Sequence, residues 1–239
     1  MYSHLQVQWE LFILSDTAPN MKKWTDQIKF DVNKHRWFIV GALIFWVYAT
    51  YMLPNKVVWR EPVPVRGTPV DEFVTFSTHW VWPYVSYYIY IFGAFLVLQT
   101  DRLKKVLILA YFAAGLVSTF IFFYFPTIIL RDERYPLAQV TDLSEWALNF
   151  IRSSDRSINC MPSMHVALSL IATLTICMEQ KKWRPFAIVW FALIAYSTMA
   201  TKQHYFFDVI SGSLHGLVFW YVSYRYILHQ SEKNLSNLR

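Results

Sequence analysis

The chain has 239 residues, of which 55% are hydrophobic, 19% aromatic and only 16% charged, and its formal net charge is +6. That balance excludes an ordinary soluble domain and describes one polytopic membrane domain. The positive charge is spread through the loops, as topology signals usually are, and gives no reason to expect nucleic acid as a partner.

Residues 1–36 are expected to form a cytoplasmic arm. Its basic residues Lys22, Lys23, Lys29, Lys34 and Arg36 run up to the first apolar stretch, where a retained first helix has its flank, so no cleavable signal peptide is expected. Stretch 5–14 is a candidate amphipathic helix on the membrane surface.

A membrane-crossing helix needs roughly 20 mostly apolar residues to cover about 30 Å of hydrocarbon. Six runs fit, at 37–53, 80–98, 106–130, 162–178, 186–200 and 206–228. The first, fourth and fifth are short, and Pro126 is expected to kink or end the third. The expected fold is therefore all-α, an integral membrane protein with six transmembrane helices over 37–228, no soluble domain between them and a cytoplasmic tail over 229–239. Trp37, Tyr51, Trp80 and Trp82 fall where interfacial rings are expected.

Basic loop residues set the orientation. One side collects the amino-terminal cluster, Arg102, Lys104, Lys105, Lys181, Lys182, Arg184, Arg225, Lys233 and Arg239; the other has Lys56, Arg60, Arg66, Arg131, Arg134, Arg152, Arg156 and Lys202. The first side should face the cytoplasm. The start of the fourth run and the link between the fifth and sixth then open on the periplasmic, extracellular or lumenal face.

Those two places carry the chemistry-bearing residues, Cys160-Met161-Pro162-Ser163-Met164-His165 and Thr201-Lys202-Gln203-His204-Tyr205-Phe206-Phe207-Asp208. If the sixth helix begins near His204, that histidine and Asp208 stand at i and i+4 on one face. The carboxylate can then hold one ring nitrogen and leave the other to attack or take a proton. Ionisable groups at membrane depth are costly, so this pair with Lys202 just before it points to function more than to packing. Pro162 suits a first helical turn. The amides of that turn, with the Ser163 hydroxyl, form an anion site, although Pro-Ser before a helix is also a common cap.

Between the third and fourth runs lies Arg131-Asp132-Glu133-Arg134-Tyr135-Pro136. Arginine offers a planar fork of donors that fits phosphate oxygens. Arg152 and Arg156 read as a solvated loop, and Trp82, Tyr84, Tyr87 and Tyr88 read as an interfacial belt in preference to a lipid entrance. Cys160 and Cys177 flank the fourth run some 25 Å apart at about 1.5 Å per residue, so they read as free thiols, and neither has zinc-like spacing.

Pro162-Ser163-Met164-His165 and His204-Tyr205-Phe206-Phe207-Asp208 resemble the second and third signature motifs of the type 2 phosphatidic acid phosphatase superfamily. Arg131 or Arg134 with Pro136 resembles the remainder of the first. The resemblance implies an all-helical membrane fold and phosphoryl transfer through a phosphohistidine, with no metal or cofactor. Carried over, it makes His204 the nucleophile, Asp208 its orienting partner and His165 the general acid, with Ser163 and the first-motif arginine holding phosphate oxygens.

Two departures stand out: Met164 where the second motif usually has glycine, and Ser197-Thr198 where the third usually begins Ser-Arg. Lys202 is the candidate substitute for the missing arginine. The Thr-Lys-Gln-His-Tyr string resembles the branch that contains inositol phosphorylceramide synthases. Positioning and charge neutralisation serve hydrolysis and transfer alike, so hydrolysis of a phospholipid or isoprenoid phosphate stands slightly ahead of headgroup transfer to a lipid alcohol. A transporter would show inverted repeats and broken helices, and neither is visible. An intramembrane protease or zinc enzyme lacks its motif here.

Overall fold

A computed structural model of the chain describes residues 32–136 and 140–236. The expected surface helix over 5–14, most of the amino-terminal arm and the last three residues lie outside the described residues. Among the described residues, nine α-helices follow one another: α1 Arg36–Lys56, α2 Pro69–Phe73, α3 Val81–Val97, α4 Asp101–Tyr124, α5 Arg131–Arg134, α6 Leu143–Ser154, α7 Met164–Glu179, α8 Arg184–Ala200 and α9 Phe206–Ser236. Short 3₁₀ turns, Thr78–Trp80 and Lys181–Trp183, lead into α3 and α8.

Each of the six apolar runs becomes one of the long helices. Three segments are long and apolar enough to cross a membrane: α1, α3 with its preceding turn, and α4. The α7 helix is apolar but only 16 residues long. Large apolar side chains on these helices face outward, among them Phe38, Phe45 and Ile89, a surface suited to lipid.

The third run ends earlier than its composition predicts. Pro126 has no N–H to continue a helix, so α4 stops at Tyr124. Thr127–Ile128 (β2) instead pairs in parallel with Val63–Pro64 (β1), Val63 opposite Thr127. This two-strand clip ties the loop after α1 to the loop before α5.

The core is organised around α7, most of whose residues are buried and which packs on α3, α4, α8 and α9. Its closest neighbour is α9, and two glycines one turn apart explain why. A Cβ on Gly212 would sit 2.5 Å from the Ser163 carbonyl oxygen, and one on Gly216 would sit 2.5 Å from that of Ala167. Small residues at this spacing let two helix backbones touch. Helix α1 packs mainly on α4, where Gly115 admits Trp46 and Thr50.

Helix α6 was not anticipated, because its apolar residues are interrupted by polar ones at helical spacing. Asp142 caps it by accepting from the Glu145 amide at 2.8 Å. Its inner face buries Ala147 and Leu148 against Val81 of α3. The helix brings Arg152 and Asp155 to the same end of the bundle as the starts of α7 and α9.

Candidate active site

The loop between α8 and α9 determines where His204 lies. The Lys202 amide donates to the Met199 carbonyl at 3.0 Å and the Gln203 amide to that of Thr198 at 3.0 Å, the two bonds of a Schellman ending. Lys202 holds the left-handed position with φ 57°, where glycine is usual. The chain turns at once, and α9 begins at Phe206. His204 therefore lies in the turn before the helix, and not within it as the sequence spacing suggested. Its Nδ1 still lies 3.6 Å from Asp208 Oδ2, because the turn folds back over the first turn of α9. That oxygen also accepts from the Tyr205 amide at 2.8 Å, which fixes the carboxylate.

Ser163 is the N-cap of α7 and is fully buried. Its Oγ accepts from the Val166 amide at 3.4 Å. Its own amide donates to the Asp208 carbonyl at 3.1 Å, a direct stitch between the second and third motifs. His165 follows one residue into α7. Its ring centroid lies 5.7 Å from that of His204 and 4.5 Å from those of Tyr84 and Tyr87. Tyr84 and Tyr87 are thus buried against the candidate general acid, 2% and 3% exposed, and do not form an interfacial belt.

Arg131 comes from α5 and is 2% exposed. Its guanidinium donates through Nη1 to Gln203 Oε1 and through Nη2 to the Asp155 carbonyl. Arg134 is exposed and lies beside the Tyr205 hydroxyl. Of the two first-motif arginines, only Arg131 is buried beside the His204 turn.

Arg152 corrects the reading of a solvated loop. Its side chain, 5% exposed, donates to the carbonyls of Tyr135 at 2.7 Å and Thr201 at 3.1 Å, and it lies over the Phe76 ring. Burial, reinforced by Arg131, lowers its pKa to about 10. Arg156 is exposed.

Lys202 is 2% exposed, with Nζ donating to the Asp71 carbonyl at 2.7 Å and the Val74 carbonyl at 2.5 Å. Burial lowers its pKa, with Asp71 opposing that shift. Asp71 also accepts from the Phe206 amide at 2.8 Å through Oδ1, capping α9 from α2. The residue expected to face a phosphate therefore ties α2 to the His204 turn.

Three residues escaped the sequence reading: Asp155, Asn159 and Gln203. Asp155 Oδ1 accepts from the Tyr51 hydroxyl at 2.5 Å and from Asn55 Nδ2 at 3.0 Å, both on α1. Burial raises its pKa, while Tyr51, Arg131 and His204 pull it the other way. Asn159 holds a left-handed backbone, φ 62°, and is 2% exposed. The unusual placement of polar residues just before an apolar run was their one sequence signal. Cys160 and Cys177 are both free.

Among the described residues, fourteen buried side-chain N or O atoms make no protein hydrogen bond, and nine of them are here: Arg131 Nε, Arg152 Nε, both amide atoms of Asn159, both ring nitrogens of His165, Gln203 Nε2, His204 Nδ1 and Asp208 Oδ1. An orphaned buried polar atom costs about 1–3 kcal/mol, so such a concentration makes this the candidate place for water or a polar ligand. Arginine donors and histidines in that set favour an anion with several oxygens.

Residues 64–222, well over half of the chain, match the family model described as the PAP2 superfamily, and the chain belongs to that superfamily. The match spans all three motif segments. No curated protein and no solved structure matches the chain.

Proposed function

We propose that this PAP2 superfamily member is a membrane lipid phosphatase that works through a phosphohistidine, with all six long helices crossing the bilayer. One observation carries the reading. Two buried histidines face each other with ring centroids 5.7 Å apart, one backed by a buried carboxylate and the other with both nitrogens unpartnered.

Asp208 holds His204 Nδ1, which leaves Nε2 to attack phosphorus. The N–P bond forms as the ester P–O bond breaks, and protonated His165 delivers its proton to the leaving alcohol oxygen. Water then gives a proton to His165 and attacks phosphorus, the N–P bond breaks, and phosphate leaves. Arg131, Ser163 and the first amides of α7 would hold the phosphoryl oxygens as charge builds up. Lys202 adds positive charge from behind, through the wall it forms with α2. The distribution of basic loops supports a site on the non-cytoplasmic face.

Acid-sensitive, base-stable label should appear on the protein when it is mixed with a ³²P-labelled lipid phosphate and quenched in base, and it should be absent from His204→Ala. Label that persists in that variant would rule out His204 as the nucleophile. Headgroup transfer to a lipid alcohol shares the same intermediate. It is separated from hydrolysis by whether free phosphate or a new phospholipid appears when an alcohol is supplied.

A further inference from the structure

A slot of about 120 Å³ runs between α1 and α3 and ends on the first turn of α7. Val47, Tyr48 and Tyr51 form one wall, Tyr87 and Tyr88 the other, and His165 closes the inner end. The outer end is open to the lipid-facing surface, since Ile44 and Tyr48 at the mouth are about half exposed, 47% and 56%.

Among the described residues no Lys or Arg lines this slot, and neither does His204. A phosphate would find no fixed cation there, and belongs instead with His204 and the Arg131 pair with Gln203, none of which lines the slot. What lies on the slot side of a general acid is the group that it protonates. We propose that this slot seats the alcohol released from phosphorus, and that it admits a single linear apolar chain, alkyl or polyisoprenyl, in preference to diacylglycerol. The inference rests on the phosphohistidine reading of the site.

Volume decides between the two alcohols. A cavity of about 120 Å³ is too small to hold two acyl chains side by side, so the slot takes the first carbons of one chain. Diacylglycerol branches at its second carbon and carries two ester-linked chains, which a cavity of this volume does not hold together. The α1 wall precedes the segment that matches the superfamily, while the α3 wall and His165 lie within it.

The test uses the purified full chain in mixed micelles with three substrates: dodecyl phosphate, dioleoyl phosphatidate and the small soluble ester phenyl phosphate. The unaltered protein should prefer dodecyl phosphate over phosphatidate in kcat/KM. Ile44→Trp places bulk at the exposed mouth, outside the catalytic residues. It should raise KM for dodecyl phosphate by about tenfold or more, the scale set by one or two methylenes denied their place in an apolar pocket, and leave phenyl phosphate turnover unchanged. Val47→Ala widens the slot and should narrow the gap between phosphatidate and dodecyl phosphate. Phosphatidate turned over as well as dodecyl phosphate, or an Ile44→Trp protein unchanged on both lipids, would overturn the slot assignment with the phosphohistidine reading intact. Loss of all three activities in the unaltered protein, with no trapped label, would overturn both.

Discussion

The two halves of the candidate site are held in place by different means. Ser163, His165, His204 and Asp208 are positioned by backbone against backbone: the Ser163 amide bonds the Asp208 carbonyl, and Gly212 and Gly216 let α9 lie directly on α7. Arg131, Arg152 and Lys202 are positioned by cationic side chains that reach across the loops to carbonyl oxygens of Asp155, Tyr135, Thr201, Asp71 and Val74. In the first half helix packing builds the scaffold and would leave the side chains to the proposed reaction. In the second, the charges that favour an anion are also the struts, so function and stability are not separable there.

The contrast breaks first at the histidines. His204→Ala should abolish turnover, and His165→Ala should lower it by about 10²–10⁴-fold, the usual contribution of a general acid. Both proteins should still fold in detergent, because neither His165 nitrogen nor His204 Nδ1 makes a protein hydrogen bond. A His204→Ala protein with substantial turnover would remove the nucleophile from this half altogether.

The scaffold of the same half is tested at Gly212. A side chain there meets the Ser163 carbonyl at 2.5 Å, and backbone cannot rotate away as a side chain does. Gly212→Val should push α7 from α9 and cost about 1–3 kcal/mol or more, read as a lower unfolding temperature together with lost activity. Gly93, with nothing within 4 Å of an added Cβ, is the control: Gly93→Ala should be neutral or slightly stabilising.

This asymmetry also explains what was legible in the sequence. Pro162-Ser163-x-His165 and His204-x-x-x-Asp208 are short-range patterns whose spacing survives into the fold, so the residues could be named before their geometry was known. Arg152, Asp155 and Gln203 act through partners 17 to 104 residues away, and spacing along the chain carries no record of such pairings. Arg152 read as a loop residue because α6 has only one apolar face. The carbonyl partners of Lys202 lie about 130 positions earlier in the chain, beyond the reach of any local pattern. The apolar run from 206 marks the start of α9 at Phe206, whereas the end of α8 carries no glycine to mark it, because a lysine takes the left-handed position.

Lys202 sharpens the comparison, because it is the one residue with a claim on both roles. Its left-handed backbone costs about 1–2 kcal/mol, and its Nζ bonds offset that by satisfying two buried carbonyls. Lys202→Met should leave those carbonyls orphaned and cost about 2–4 kcal/mol. If the ammonium acts only as a strut, turnover per folded molecule should fall by less than about tenfold. A loss near a hundredfold in correctly folded protein would show that its charge also acts on the transition state. Lys202→Gly separates the backbone from the side chain: it relieves the left-handed strain and removes the same two bonds, so it should be more stable than Lys202→Met and equally slow.

The smallest effect is expected at Asp155, and it is a change of slope more than of level. Burial raises the pKa of this carboxyl above that of an exposed aspartate, so the folded chain binds its proton more tightly than the unfolded chain does. Stability from this group is then fully present below the ordinary carboxylate pKa and declines as pH rises through the raised value. The donors on Oδ1, Tyr51 and Asn55, together with Arg131 and His204 nearby, limit the decline without reversing it. Asp155→Asn keeps an oxygen to accept from Tyr51 and Asn55 but has nothing to titrate. Unfolding temperature plotted against pH should therefore fall less steeply in Asp155→Asn than in the unaltered protein across the mildly acidic range, with the two curves closest at the acid end. A steeper fall in the variant would mean that Asp155 is held as a carboxylate by Arg131. It would then belong with the ion-paired struts of the second half, and not with the buried, proton-holding groups.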